Sequence, residues 1–299
     1  MITFLKRLAV TATITMILVL LGGALVTKTD SGMGCGANWP NCEGAFSPAL
    51  LIELSHRLVS GVAGLVVLLL AILSWKYIGH IREAKFLSFI SAFFLILQGL
   101  IGAAAVLWAQ SDFILALHFG ISLISYASVF LLTILIFEVD KKFDADSLII
   151  DKPLRIQIYS LTAYILFVVY TGALVRHMDS SLACTGWPFC DRGASFDLSY
   201  NLGQWVHMGH RLVAGIALIW TALLFIRVYK TFKNSRVMIW GWTIAFSLIV
   251  IQVLLGAMII FTYAHLLFAL LHALVITIFF GLLCYFILLA SRSATKKSL

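Results

Sequence analysis

Apolar residues run along this chain in stretches longer than a soluble domain needs, and the short segments between them carry most of the charge. Eight such stretches are read, at about 8–26, 52–75, 86–108, 113–137, 157–175, 204–226, 238–261 and 266–291. Each is close to the roughly 20 apolar residues that cross a hydrocarbon core of about 30 Å. The first follows Lys6 and Arg7 as a signal peptide would. No small-x-small cleavage site comes after it and a later span repeats it, so it is read as a retained helix.

Composition agrees: 62% of the 299 residues are hydrophobic and 11% are charged, and the mean hydropathy is +1.04, outside the range of soluble globular chains. The formal charge of +8 raises the question of a nucleic-acid partner, but its placement gives another cause. With a cytoplasmic N-terminus, 16 of the 21 Lys and Arg residues fall on the inner side, leaving Lys28, Arg57, Arg176, Arg192 and Arg211 outside. By the positive-inside rule both termini are cytoplasmic and the basic balance is topology, so no nucleic acid is expected.

The chain repeats itself. Residues 22–42, GGALVTKTDSGMGCGANWPNC, align with 171–190, TGALVRHMDSSLACTGWPFC, with one gap. ELSHRLVSG at 53–61 aligns with HMGHRLVAG at 207–215, LQGLIGA at 97–103 with IQVLLGA at 251–257, and His118 with His272. An even number of spans per unit makes the repeat parallel, about an axis along the membrane normal. The expected fold is therefore an all-α polytopic membrane protein of two four-helix bundles, residues 1–145 and 146–299, with long outer loops at about 27–51 and 176–203.

His56, His118, His210 and His272 occupy matching places near the outer ends of the second, fourth, sixth and eighth spans. Ionisable groups there are costly and mark function. A single intramembrane histidine is often a helix-packing group, but four in duplicated register are better read as two pairs of metal ligands. Zinc ordinarily takes three or four protein ligands; a haem iron needs two axial ones at most. Small residues, Gly61, Gly64, Gly102, Gly215 and Gly256, give room for a macrocycle. His80, His177 and His265 have no repeat partners and are assigned to solvent or interface.

Glu53 lies one turn before His56 on the same helix face, and the matching residue in the second half is His207. Desolvation would raise the pKa of a carboxyl at that depth and suit it to proton transfer; an ion pair with Arg57 is the alternative, and both can hold. The first half is thus the candidate for chemistry and the second for a permanent redox cofactor. Arg57 and Arg211, each following a proposed ligand, are candidates for a haem propionate or for snorkelling to headgroups. Cys35 and Cys42, and Cys184 and Cys190, lie in the two outer loops, where disulfides persist. Local bridges follow the repeat, with cross-loop pairing as the other possibility, and a structural role is the default over a redox one. Cys284 is a packing residue.

With Glu53-x-x-His56-Arg57, His118, Met208-Gly209-His210-Arg211, His272 and the two cysteine loops, the chain resembles the haem A synthase family over essentially its whole length, the Gram-positive bacterial form in particular. The resemblance implies oxidation of the C8 methyl of haem O to a formyl group by two successive hydroxylations. It implies His56 and His118 as axial ligands of the substrate haem, His210 and His272 as axial ligands of a haem b, and Glu53 as the catalytic carboxylate. It also implies disulfides Cys35–Cys42 and Cys184–Cys190, the former pair assisting catalysis. A prenyl-transferring haem O synthase is the implied partner in the plasma membrane; the residues specify neither the oxygen source nor the electron acceptor. A two-haem electron carrier would share the histidines without needing Glu53, and a transporter would show Pro-broken spans, whereas all four prolines lie in predicted loops.

Overall fold

The computed structural model describes residues 1–108, 111–139, 148–190 and 199–296, with residues 295 and 296 by backbone alone. Lys141, Lys142, Arg192 and Lys297 lie outside the described residues, as does the expected boundary between residues 145 and 146. Among the described residues there are eight helices: α1 (Ile2–Lys28), α2 (Pro48–Ile78), α3 (Ala84–Leu107), α4 (Asp112–Glu138), α5 (Lys152–His177), α6 (Leu202–Thr231), α7 (Arg236–Phe261) and α8 (Leu266–Lys296). All are long and apolar enough to cross a membrane, and no strand occurs among these residues.

Several helices begin ahead of the apolar stretch that announces them, because caps set the start and hydropathy does not. Ser47 accepts from the Leu50 N–H and is followed by Pro48, so α2 opens before residue 52. Asp151 does the same for α5 through Leu154 N. Asn201 and Gln204 exchange two hydrogen bonds of 3.0 Å in a capping box that starts α6. Such caps contribute about 1 kcal/mol each.

The chain divides into two compact units, Met1–Phe143 and Asp144–Leu299. In the first, α1 packs on α2, α2 on α3, α3 on α4 and α4 back on α1, and α2 and α4 also touch across the diagonal. In the second, α5, α6, α7 and α8 close the same ring. Small residues allow the close approaches: Ala9 and Ala12 of α1 are fully buried, and the Thr133 hydroxyl of α4 donates to the Ala9 carbonyl at 3.1 Å. In the second unit Trp242 stacks on Phe286 with centroids 4.8 Å apart, where Gly241 leaves space for the ring. Leu58, Leu65 and Ile72 recur every seven residues on α2 and are exposed, Leu65 by 72%. Such a stripe would be costly in water and suits hydrocarbon.

After α1 and α5 the chain turns identically. Asp30 and Asp179 both take a left-handed φ of 51°, which a short polar side chain tolerates. Ser31 N–H returns to the Val26 carbonyl and Ser180 N–H to the Val175 carbonyl, both at 2.9 Å. The loops that follow lead over the ends of α2 and α6.

Candidate functional site

In the first unit the loop after α1 folds onto the start of α2. Cys35 and Cys42 are bonded, S–S 2.00 Å, and Cys35 is fully buried. The Cys35 N–H donates at 2.8 Å to Oε2 of Glu53, itself only 3% exposed. Arg57, one turn further on, donates from Nε at 3.0 Å and from Nη2 to Oε1 of the same carboxylate. Its Nη1 reaches the carbonyls of Asn38 (2.9 Å) and Asn41 (2.8 Å). Glu53 is buried as expected, and the ion pair with Arg57, set against a proton-transfer role, is present. The guanidinium and the backbone N–H offset the cost of taking the carboxylate out of water.

The second unit repeats the clamp with different chemistry. Cys184 and Cys190 are bonded, S–S 1.98 Å. Arg211 Nη1 donates to the carbonyls of Gly186 (2.8 Å), Pro188 (3.2 Å) and Phe189 (3.0 Å). Gly186 and Phe189 align with Asn38 and Asn41 of the first loop. In place of the carboxylate stands His207, buried, with Nε2 at 3.3 Å from Arg211 Nη2. Guanidinium only donates, so Nε2 accepts and the imidazole is neutral with its hydrogen on Nδ1.

The four histidines sit at matching depths. His56 and His210 are the ninth residues of α2 and α6, and His118 and His272 the seventh of α4 and α8. At 1.5 Å per residue they lie about 12 Å and about 9 Å into their helices. Each pair is carried on diagonally opposed helices of one ring, and its members are within electrostatic reach of each other. The four residues are half-buried, yet Nδ1 of His56, His118 and His272 is buried without a hydrogen-bond partner. For these three the remaining accessible surface lies on other atoms of the residue. The backbone carbonyls of Gln98 and Gln252 lie near His118 and His272, outside hydrogen-bond geometry.

Glycine from the preceding helix backs every ring. A Cβ built on Gly22 would lie 2.9 Å from His56 Nδ1, and one on Gly23 3.5 Å from its Cε1. Gly102 stands at 2.9 Å from His118, Gly172 at 2.8 Å from His210 and Gly256 at 3.5 Å from His272, each measured to Cε1. Gly102 and Gly256 were among the small residues singled out in the sequence. Gly61, Gly64 and Gly215 meet no protein atom within 4 Å, so they back no imidazole. Gly22, Gly23 and Gly172 were not singled out, although they lie in the repeated Gly-Ala-Leu-Val segment that revealed the duplication. His80 is exposed, as is His265, which accepts from Leu267 N–H and meets Phe268 edge to face.

Fold and site together define a membrane protein of two four-helix units with the same paired histidines, and among the described residues only the first carries a buried carboxylate at its loop end. The chain belongs to the COX15-CtaA family of cytochrome oxidase assembly proteins, whose model matches residues 45–284. It is 54% identical over 295 residues to a protein of Lysinibacillus sphaericus named heme A synthase, covering 97% of this chain and 96% of that one. Proteins of the same name from Geobacillus kaustophilus (53% identical; 97% of this chain, 92% of that one) and Bacillus cereus (52%; 97% and 94%) are similar throughout.

Proposed function

We propose that the chain acts as a haem A synthase, oxidising the C8 methyl of haem O to a formyl group by two successive hydroxylations, the second product losing water, to supply haem A for terminal oxidases. One observation carries the reading: two repeat-related histidine pairs, each ring backed by glycine, with a buried carboxylate, Glu53, in the first unit and a neutral imidazole, His207, in the second. Relatives 52–54% identical over nearly the whole chain bear the name of that activity.

In this reading residues 1–145 take the substrate, with His56 and His118 as axial ligands of haem O, and residues 146–299 hold haem b between His210 and His272. The donor set fits a porphyrin iron: two imidazoles per unit, buried at Nδ1 or bonded there, each on a half-buried residue. Among the described residues no group of three or more His, Cys, Asp or Glu side chains converges as a protein-only metal site would require. When bound, haem b supplies a centre that accepts electrons one at a time. Glu53 is the acid or base of the substrate half, oriented by Arg57 and the Cys35 N–H. Arg57 and Arg211 are the propionate candidates. Arg57 spends most of its donors on the loop and on Glu53, leaving one Nη2 hydrogen, while Arg211 keeps a buried Nε–H without a partner.

The setting is the plasma membrane, with both termini cytoplasmic and the disulfide loops outside. The partners are the lipid bilayer, a prenyl-transferring enzyme that makes haem O, and an electron acceptor. Pigments extracted from membranes co-expressing this chain with a haem O source, identified by mass, test the reading. Haem A forms with the chain and not without it; haem O alone in both overturns the proposal.

A further inference from the structure

The repeat alignment that places Gly23 opposite Gly172 places Gly22 opposite Thr171. The two residues meet equivalent histidines in different ways. In the first unit Gly22 faces His56 Nδ1 with no side chain, and Nδ1 has no partner. In the second unit Thr171 Oγ1 lies 2.9 Å from His210 Nδ1 and 2.7 Å from the Val168 carbonyl.

The directions of these two bonds follow from counting hydrogens. A carbonyl oxygen only accepts, and a hydroxyl has one hydrogen to give. That hydrogen goes to Val168 O, so Oγ1 turns a lone pair to the imidazole and Nδ1 carries the hydrogen. The His210 Nε2 is thereby left with a free lone pair, the form in which imidazole binds a metal. A partner on the far nitrogen fixes tautomer and ring orientation and makes the ligating nitrogen more basic.

We propose that Thr171 is a positioning residue for His210: its hydroxyl holds the ring as a ready, basic axial ligand and makes the second unit the site of permanent haem, while Gly22 leaves His56 without that hold in the unit that must exchange substrate for product. The inference rests on the reading of His210 as a haem ligand and names a residue through which the two units differ.

The test uses the full-length protein purified with its haem, followed by redox titration and by haem loss to an apo-globin acceptor. His210→Ala first identifies the haem that depends on this histidine; a haem signal unchanged by that substitution overturns both the ligand reading and the proposal. Thr171→Val keeps the shape and removes the hydroxyl. It should raise the midpoint potential of the His210-dependent haem, because a less basic ligand favours the ferric state less, and speed haem loss about tenfold. Thr171→Ser keeps the hydroxyl and should stay within about twofold of the parent in loss rate, with the parent's potential. Thr171→Ala removes the hydroxyl without a branched side chain and should follow Thr171→Val, which keeps the comparison open if that variant folds poorly. Equal potentials and loss rates in the Ser and Ala variants overturn the role of Thr171 while leaving His210 a ligand.

Discussion

Arg57 and Arg211 grip aligned carbonyls of aligned disulfide loops, yet the residue four positions before each differs, a carboxylate at Glu53 and a neutral imidazole at His207. The disulfide and the arginine's grip on two aligned carbonyls are held in common; what the loop closes over is not. The Cys35 N–H makes the difference sharper, since the backbone of the disulfide loop in the first unit hydrogen-bonds the carboxylate directly. At one aligned position the first unit carries a carboxylate and the second an imidazole.

The largest effect that separates the halves is therefore a pair of single substitutions. Glu53→Ala should lower haem A formation by about a hundredfold or more, the range for loss of a general acid or base, with haem O accumulating on the protein. His207→Ala should lower it by less than about tenfold. Mass analysis of bound pigment reads both, and equal losses would erase the distinction between the halves.

Next come the clamps themselves. Arg57→Ala leaves a carboxylate buried at 3% exposure without its cation, and breaking such a pair costs about 3–5 kcal/mol of stability. Arg211→Ala strands only carbonyls and a neutral ring, which costs about 1–3 kcal/mol. Unfolding in mixed micelles measures the two. If Arg211→Ala proves the more damaging, the Glu53–Arg57 pair is not what makes the first clamp the costlier to break.

The disulfides sharpen the same contrast at lower cost. They close short loops, with sequence separations of 7 and 6, so each contributes about 2–3 kcal/mol through the unfolded chain. Cys184→Ser with Cys190→Ser should cost that stability alone. Cys35→Ser with Cys42→Ser should cost it and also lower turnover about tenfold, because the N–H that orients Glu53 is released. Parallel measurement of stability and turnover separates the outcomes, and unchanged turnover in the first-loop pair would show that the loop is merely a staple.

The eight spans, the duplication, the histidine quartet and Glu53 were legible in the sequence because each leaves a pattern in residue identity: apolar runs, matched motifs, ionisable groups inside apolar stretches. Helix starts were less so. Hydropathy reports the hydrocarbon-facing part of a helix, while Pro48 and Lys152 begin theirs under the control of Ser47 and Asp151. The clamps were legible as residues but not as contacts. Arg57 was read as an ion pair or a propionate partner, and its grip on the Asn38 and Asn41 carbonyls depends on how the loop folds, which side-chain identity does not encode. Thr171 and Gly22 were invisible for a related reason: the alignment shows that they differ, but only packing of α5 on α6 and α1 on α2 shows that the difference falls on the Nδ1 of matched histidines.

The smallest effect probes the glycines and divides them by distance rather than by unit. At Gly102 and Gly172 a Cβ would stand 2.9 and 2.8 Å from the Cε1 of His118 and His210, closer than side-chain carbons approach, so the ring must move. At Gly256 the same atom would stand 3.5 Å from His272, an ordinary contact. Gly172→Ala should therefore speed haem loss about tenfold, the scale of a displaced ligand, while Gly256→Ala should change it by less than about twofold, although both residues back a histidine of the second unit. Gly102→Ala should in turn weaken haem O retention in the first unit about tenfold, and Gly23→Ala, at 3.5 Å from His56, should not. Haem-loss kinetics on the four variants decide the matter, and a ranking that followed the unit instead of the distance would mean that the rings are not held by these contacts.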